Sequence, residues 1–253
     1  MPSDRIYFEG SQGHRLAARL DMPEGEPHAY AIFAHCFTCS KNLWASRNVS
    51  QALTESGCGV LRFDFTGIGR SEGEFARTTF TTNLQDLEKA AEYLAEHHGA
   101  PSLLVGHSLG GAAVVHAAGK IASVRAVATI GAPYEPGHVK HLFHAAIDTI
   151  HEAGEAEVTI GGRPFLIRRE FLEDLERDGL VQVIRGMRRA LLVLHAPMDD
   201  VVGIENAQHL FEAAMHPKSF VSLDTADHLL TEEADALYAG RVIAAWAARY
   251  IGN

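Results

Sequence analysis

The sequence predicts an α/β fold in which a mainly parallel β-sheet carries helices on both faces. Short apolar segments of strand length alternate with longer segments of helical periodicity through most of the 253 residues. This alternation is typical of β-α-β units, in which a helix joins two neighbouring parallel strands. Hydrophobic residues make up 47% of the chain and charged residues 21%, which indicates an ordinary globular domain and excludes a disordered, collagen-like or coiled-coil chain.

The N-terminal half begins with a predicted β-hairpin and continues with alternating strands and helices. The hairpin strands cover residues 5–10 and 16–21, on either side of a Gly-Ser-Gln-Gly turn. The strands predicted after it are the apolar segments at residues 29–34, 59–64, 102–105 and 124–130. The helices predicted between and after these strands cover residues 43–56, 80–98 and 112–118.

The alternation breaks between residues 137 and 189 and then resumes. Within this segment the pattern predicts helices over residues 138–152 and 170–186, and a hairpin over residues 157–160 and 163–167 whose Gly-Gly turn can supply positive φ. The elements predicted downstream are strands at 190–195 and 219–223 and helices at 205–215 and 232–250. We therefore predict a core formed by residues 1–136 and 190–253, with residues 137–189 as an inserted lid.

A Gly-His-Ser-Leu-Gly motif centred on Ser108 follows an apolar strand and opens a predicted helix. In that context a G-x-S-x-G motif places the serine on a sharp, strained turn with its hydroxyl exposed. The small glycines let strand and helix approach the turn, and the helix N-terminus offers backbone N–H groups to a developing oxyanion. The alternative interpretation is a glycine-rich turn without chemistry.

Several segments resemble the α/β-hydrolase superfamily, and the resemblance covers nearly the whole chain. Residues 106–111 look like its nucleophile elbow, and the Asp-x-x-Gly-x-Gly-x-Ser pattern within residues 63–73 resembles its loop after the preceding strand. The His-Cys-Phe-Thr-Cys-Ser-Lys segment at residues 35–41 is similar to bacterial hydrolase domains that are often fused to an OsmC-like domain. The resemblance implies an α/β-hydrolase fold and a small-molecule acyl substrate. Since no OsmC-like segment follows in this sequence, an OsmC-like partner bound in trans is one further expectation.

A serine hydroxyl is a weak nucleophile and needs a base, which in turn needs a third group to hold its tautomer. The resemblance implies the order Ser, acid, His along the chain, with Ser108 as the nucleophile. Asp199 and Asp200 both follow the strand predicted at 190–195. The superfamily pattern is an Asp, two residues and then a β-branched residue, and this resemblance favours Asp199 as the acid, with Val202 as the β-branched residue. Among fifteen histidines, His228 is the expected base because it lies between the last predicted strand and the last helix.

The oxyanion hole is expected to use two backbone N–H groups. The resemblance implies Leu109, directly after the serine, and Phe37, in the loop after an early strand. Cys36 stands where the family usually has a glycine, which normally eases close backbone approach. The backbone donor at Phe37 does not depend on that side chain.

Cys36 and Cys39 have the C-x-x-C spacing of a redox pair and lie beside the expected oxyanion hole. One hypothesis is that oxidation of this pair displaces the donor at Phe37 and switches the hydrolase off. The alternative is two small thiols that simply pack. A single C-x-x-C lacks the second pair of ligands that zinc needs, so no metal is expected here.

Apolar side chains of the predicted lid are candidates for the wall of an acyl pocket. The candidates are Phe143, Ile147, Phe165 and Phe171, together with Trp44 just after the oxyanion loop. The alternative for the lid residues is that they form the lid's own small core. For Trp44 the alternative is helix packing.

Histidines recur along the predicted lid helix, with i, i+3 spacing among His138, His141 and His144. Metal binding is conceivable at this spacing. An exposed lid face is the favoured interpretation, because no carboxylate or cysteine falls at matching offsets. We therefore expect neither a metal nor a cofactor.

The balance of charge argues against two classes of partner. With 22 basic and 32 acidic residues the net charge is −10, so nucleic acids and anionic membranes are not expected to bind. No apolar run reaches the roughly 18 residues of a spanning helix, and the first residues lack the pattern of a signal peptide. Three cysteines cannot form a closed disulfide framework, so a cytoplasmic protein is expected.

Together these patterns predict a serine hydrolase that cleaves an ester or thioester through an acyl-enzyme, as carboxylesterases do. A peptidase or an acyltransferase with the same triad is an alternative, because the fold does not choose among them. A second alternative is a redox-sensing or partner-binding module that uses Cys36 and Cys39, with the hydrolase site secondary.

Overall fold

The centre of the molecule is a twisted sheet, seen in a computed structural model that describes residues 3–176 and 180–252. The strands are β1 (Ser3–Glu9), β2 (Arg15–Asp21), β3 (Ala29–Ala34), β4 (Cys58–Phe63), β5 (Leu103–His107), β6 (Ala126–Ile130), β7 (Glu155–Ile160), β8 (Arg163–Arg168), β9 (Ala190–His195) and β10 (Lys218–Ser222). Among the described residues, eight of them form one sheet in the order β1-β2-β4-β3-β5-β6-β9-β10. From β4 to β10 every neighbouring pair is parallel, whereas β1 and β2 are antiparallel additions at one edge.

Helices cover both faces of this sheet. They are α1 (Trp44–Glu55), α2 (Phe80–His97), α3 (Leu109–Ala118), α4 (Ile147–Ala153), α5 (Arg169–Leu175), α6 (Leu180–Gly186), α7 (Glu205–Ala213) and α8 (Glu233–Ile251). Residues of α2 and α3 form one apolar cluster with one face of the strands, and residues of α1 and α8 form another with the opposite face. Burial on both faces explains why the parallel strands read as continuous apolar runs. The predicted fold class is confirmed.

The segment between β6 and β9 differs in part from its prediction. The hairpin β7–β8 is present, and its turn residues Gly161 and Gly162 have φ of +56° and +74°. The single helix predicted over residues 138–152 is wrong, because the chain forms a 3₁₀ helix at Pro136–Ala146 and then α4. The backbone leaves helical geometry at Phe143 (φ −141°, ψ 28°), whose side chain is buried in the apolar cluster.

The second helix predicted in this segment, over residues 170–186, corresponds to α5 and α6. Residues 177–179 of that prediction lie outside the described part of the chain. A short 3₁₀ helix at Phe75–Arg77, which carries no sequence signal of its own, also went unpredicted. In the described ranges, no helix is long and apolar enough to cross a membrane.

Two histidines, the buried His107 and the partly buried His116, make the stability of the fold depend on pH. Burial lowers the pKa of His107 on β5 from 6.5 to about 4, and the nearby charge of His228 adds to this effect. Burial, with the nearby charge of Lys120, lowers the pKa of His116 on α3 to about 4 as well. The folded state therefore binds fewer protons than the unfolded state between these pKa values. The free energy of unfolding is expected to fall as the pH drops from 6.5 to 4.

Replacing His116 on α3 with leucine tests this expectation. The His116 Nε2 atom is buried and has no hydrogen-bond partner in the described part of the chain. We expect His116→Leu to lose less stability than the native protein between pH 6.5 and 4, by on the order of 3 kcal/mol. Urea denaturation at several pH values measures the difference, with His97→Gln at an exposed position of α2 as the control. Equal pH dependence in all three proteins would contradict the account.

Candidate active site

Ser108 sits on the sharp turn between β5 and α3. Its backbone has φ of +55° and ψ of −126°, a conformation that is strained for any residue other than glycine. Two backbone hydrogen bonds hold the turn. The Ser108 N–H donates to the Ile130 carbonyl over 2.9 Å, and the Ser108 carbonyl accepts from the Gly111 N–H over 2.8 Å. The strain is thus supported by the neighbouring strand and by the first turn of α3.

The two glycines around Ser108 allow strand, helix and loop to approach each other closely. A Cβ atom on Gly106 would lie 2.3 Å from the Gly110 carbonyl oxygen. A Cβ atom on Gly110 would lie 2.4 Å from the carbonyl oxygen of Ala34 at the end of β3. Both distances are far below any van der Waals contact, so the close approach of backbone requires glycine at each position.

The structure brings Ser108, His228 and Asp199 together at the carboxyl ends of the strands. The Ser108 Oγ atom lies 3.0 Å from His228 Nε2. The His228 Nδ1 atom lies 2.8 Å from Asp199 Oδ2. Asp200, the alternative acid, is exposed on the same loop. The arrangement gives the serine a base within hydrogen-bond reach and gives that base an orienting carboxylate.

Hydrogen bonds keep the Asp199 carboxylate ionised despite its burial. Its Oδ1 atom accepts from the N–H groups of Val201 (2.9 Å) and Val202 (2.8 Å). Burial by itself would raise the pKa of this carboxyl. The hydrogen bonds from His228 and from the two amides outweigh it and hold the pKa below its ordinary value. Asp199 therefore places a negative charge beside His228 Nδ1.

Three further buried histidines hold the loops that carry the site. His107 Nε2 donates to the His228 carbonyl, His195 Nε2 to the Val202 carbonyl and His35 Nδ1 to the Cys36 carbonyl, over 2.7, 2.7 and 2.8 Å. Burial lowers the pKa of each ring, so all three stay neutral at pH 7.

Phe37 and Leu109 line the same cavity as Ser108. In the described part of the chain, neither backbone N–H donates to a protein acceptor. Cys36 and Cys39, on either side of Phe37, are joined by a disulfide with a Cα–Cα distance of 5.3 Å. In this oxidised state Phe37 still faces the cavity beside Ser108, and the hypothesis that oxidation inactivates the site stays a prediction.

The cavity at Ser108 has a volume of about 300 Å³ and lies between the sheet edge and the inserted segment. The inserted segment contributes His138, Val139, His141, Leu142, Ile160, Gly161 and Arg163 to its wall. Arg163 also donates to the carbonyl oxygen of Thr38 in the loop after β3. The inserted segment is therefore tied directly to the loop that carries Phe37.

The five side chains predicted to line this cavity lie elsewhere, and that prediction is wrong. Trp44 is 45% exposed on α1, beside Arg47. The other four pack in or against the apolar cluster that includes Phe37, in the loop after β3. Phe143 and Phe171 are buried in it, and Ile147 and Phe165 pack against it. Phe171, for example, stacks on the Phe37 ring at 5.4 Å. Large aromatic side chains bury more apolar area inside the inserted segment than at a cavity mouth, which is why they form its core.

Smaller apolar residues form the cavity wall instead. Val139 and Leu142 line it from the 3₁₀ helix, Ile160 from the hairpin and Leu229 from the loop after His228. The i, i+3 spacing of Val139 and Leu142 places them on one side of a 3₁₀ helix, whose side chains repeat every three residues. That spacing was the signal available in the sequence, since residues three apart also share one face of an α-helix.

His138 and His141 lie side by side at the cavity, with ring centroids 4.7 Å apart. His138 Nε2 donates to the Val201 carbonyl over 3.0 Å, and His141 Nδ1 donates to the His138 carbonyl over 2.6 Å. Within residues 3–176 and 180–252, no group of three or more His, Cys, Asp or Glu side chains is arranged to hold a metal ion.

Comparison with known protein families places most of the chain in one group. The sequence profile of the alpha/beta hydrolase family matches residues 31–249. Among characterised sequences, the mouse (Mus musculus) protein palmitoyl-protein thioesterase ABHD10, mitochondrial, is 29% identical over 188 residues, which are 71% of this chain and 62% of that protein. The chain therefore spans less than two thirds of the length of that relative. The uncharacterised protein YfhR of Escherichia coli K12 is 21% identical over 243 residues, 90% of this chain and 78% of that protein.

Two solved structures resemble this chain, one at high and one at low sequence identity. The esterase domain of a Rhodothermus marinus protein is 55% identical over the full length of both chains, with a TM-score of 0.83. Est1E of Butyrivibrio proteoclasticus, solved with ferulic acid, is 20% identical with a TM-score of 0.79, covering 98% of this chain and 100% of that chain. The second likeness concerns the fold alone.

Proposed function

The chain belongs to the alpha/beta hydrolase family, and we propose that it cleaves carboxylic esters or thioesters by a serine mechanism with an acyl-enzyme intermediate. The observation that carries this proposal is the chain of contacts from Ser108 through His228 to Asp199, with distances of 3.0 and 2.8 Å. The likeness to the esterase domain from Rhodothermus marinus and to the mouse thioesterase supports both substrate classes.

Acylation begins when Ser108 Oγ attacks the carbonyl carbon of the substrate. His228 Nε2 accepts the hydroxyl proton as the new C–O bond forms. The carbonyl oxygen becomes an oxyanion and accepts hydrogen bonds from the backbone N–H groups of Leu109 and Phe37. A single donor of this kind contributes about 3–4 kcal/mol to stabilisation of the transition state in other hydrolases.

The tetrahedral intermediate then collapses to an acyl-enzyme. The carbonyl double bond re-forms, the bond to the leaving group breaks, and His228 donates its proton to the leaving alcohol or thiol. Water repeats the sequence in the second half: His228 takes a proton from the water, the hydroxyl adds to the acyl carbon, and Ser108 leaves with the proton restored. Asp199 stabilises the imidazolium in both halves and holds its tautomer.

The inserted segment acts in this proposal as a lid over the acyl group. Its contribution to the cavity includes Val139, Leu142 and Ile160, which suit an apolar acyl chain. A cavity of about 300 Å³ is at the lower end of the range for small-molecule sites, so short and medium acyl chains fit best.

The acyl-enzyme and the identity of the acid can be tested with p-nitrophenyl esters. We expect a burst of p-nitrophenolate stoichiometric with enzyme. Asp199→Asn is expected to lower kcat by about 10⁴-fold, as loss of the orienting acid does in serine proteases. The adjacent exposed change Asp200→Asn is the matched control and should leave kcat within a factor of about two, as for surface substitutions away from the site. A larger loss in Asp200→Asn than in Asp199→Asn would overturn the assignment of the acid.

A further inference from the structure

A small cleft of about 70 Å³ lies between the β1–β2 hairpin and the loops that follow β3 and β4. Four of its nine lining residues are cationic: Arg5, Arg19, Lys41 and Arg70. No lining residue is acidic, although the chain has 32 acidic and only 22 basic residues. None of these residues lines the catalytic cavity. The cleft is therefore basic, although the chain as a whole is acidic.

The strand register places like charges directly opposite each other. Arg5 on β1 pairs with Arg19 on β2, and Arg19 pairs in turn with Arg62 on β4. Directly paired residues project from the same face of a sheet, so the three arginines form a row across three strands. Like charges in such positions destabilise a sheet. A row of this kind is expected only where anions compensate it.

Two buried carboxylates neutralise part of the positive charge at the row and the cleft. Arg62 Nε donates to Asp21 Oδ2 over 2.6 Å, and both side chains are buried. Lys41 Nζ pairs with the buried carboxylate of Asp64.

The other three cations of the cleft have no such partner. In the ranges that the structure describes, Arg5, Arg19 and Arg70 have no carboxylate within ion-pair distance. Arg19 Nη1 donates to the neutral hydroxyl of Ser3 over 3.1 Å. Arg5, Arg19 and Arg70 thus line one cleft, and in the described part of the chain none of their guanidinium groups forms an ion pair with a carboxylate.

We propose that this cleft binds a small tetrahedral oxyanion, a phosphate or sulfate group. Guanidinium groups present paired N–H donors that match two oxygens of such a group, and charge-assisted bonds of this kind are the strong ones. The cleft, at about 70 Å³, has roughly a quarter of the volume of the 300 Å³ cavity at Ser108, so a small anion suits it better than an acyl chain. Bound between Arg5 and Arg19, the anion removes their mutual repulsion.

The change Arg19→Gln tests the proposal, because its expected effect on stability differs without and with phosphate. Without phosphate at low ionic strength, the variant loses a like-charge contact, so its melting temperature is expected to equal or exceed that of the native protein. With inorganic phosphate added and ionic strength held constant with NaCl, the native protein should gain stability in a saturable way, since a ligand that binds only the folded state stabilises it. Arg19→Gln should bind phosphate at least about tenfold more weakly, the loss expected for one charge-assisted pair.

Arg47→Gln on the exposed part of α1 is the matched control and should keep the full response to phosphate. Isothermal calorimetry should give one phosphate per chain. An equal response of native protein and Arg19→Gln, or no response beyond that to NaCl, would overturn the proposal. Binding of vesicles that contain phosphatidic acid without binding of inorganic phosphate would assign the cleft to a lipid headgroup and overturn the small-anion site. The readout is stability and heat, so it is independent of the proposed hydrolase activity.

Discussion

Replacing Ser108 with alanine is expected to lower kcat for ester hydrolysis on the order of 10⁶-fold, the scale seen when another serine hydrolase loses its nucleophile. The change removes the one protein atom that forms a covalent bond to the substrate carbonyl carbon in the proposed mechanism. Binding in the cavity and the backbone donors at Phe37 and Leu109 would remain, so KM should change much less than kcat. Steady-state kinetics on p-nitrophenyl butyrate measures both constants.

A matched serine-to-alanine change separates loss of chemistry from loss of fold. Ser102 has a buried Oγ atom with no hydrogen-bond partner in the described part of the chain, and it lies outside the catalytic cavity. Ser102→Ala should therefore keep native kinetics, and both variants should melt close to the native temperature. If Ser108→Ala retained kcat within tenfold of the native value, Ser108 would not be the nucleophile.

Replacing Lys41 with methionine is expected to lower the free energy of unfolding by about 3–5 kcal/mol, the usual cost of breaking a buried ion pair by removing one partner. The side chains of Lys41 and Asp64 are 5% and 1% exposed. Without the ammonium group, the Asp64 carboxylate stays buried, and within the described residues its remaining donors are the backbone N–H groups of Lys41 (2.7 Å) and Arg70 (3.0 Å). Methionine keeps most of the volume, so the lost charge dominates the effect.

Urea denaturation of two comparison variants checks this result. Lys89→Met breaks an exposed pair with Glu92 and should leave the stability nearly unchanged. The double change Lys41→Met/Asp64→Asn removes both charges and should cost less than the sum of the two single changes, because the uncompensated carboxylate is gone. Equal losses in Lys41→Met and Lys89→Met would show that the buried pair adds nothing.

Hydrophobic patterning predicts the central sheet because its parallel strands are buried on both faces. The runs at β3, β4, β5 and β9 are mostly apolar, and each structural strand overlaps its predicted segment. The inserted segment was predicted less well. Its helices are short, and the break at Phe143 follows from tertiary packing of that side chain rather than from local propensity.

In the site, too, some features follow from the sequence pattern and others only from the tertiary structure. The places of Ser108, Asp199 and His228 follow from their order along strands whose carboxyl ends share one edge of the sheet. The choice between Asp199 and Asp200 has a local cause, since Asp199 Oδ1 accepts from Val201 and Val202 just downstream. The pair of Lys41 and Asp64 carries no sequence signal, because the two residues are 23 positions apart and meet only through the register of β3 and β4.

The most direct measurement of the central claim is covalent labelling of the native protein by a fluorophosphonate probe, followed by peptide mapping. A serine that His228 activates and that is accessible from the cavity should form a single adduct on Ser108. The Ser108→Ala variant should form none, and His228→Asn should react far more slowly than the native protein. A well-folded native protein that fails to react, or an adduct on another residue, would contradict the account of Ser108 as an activated nucleophile.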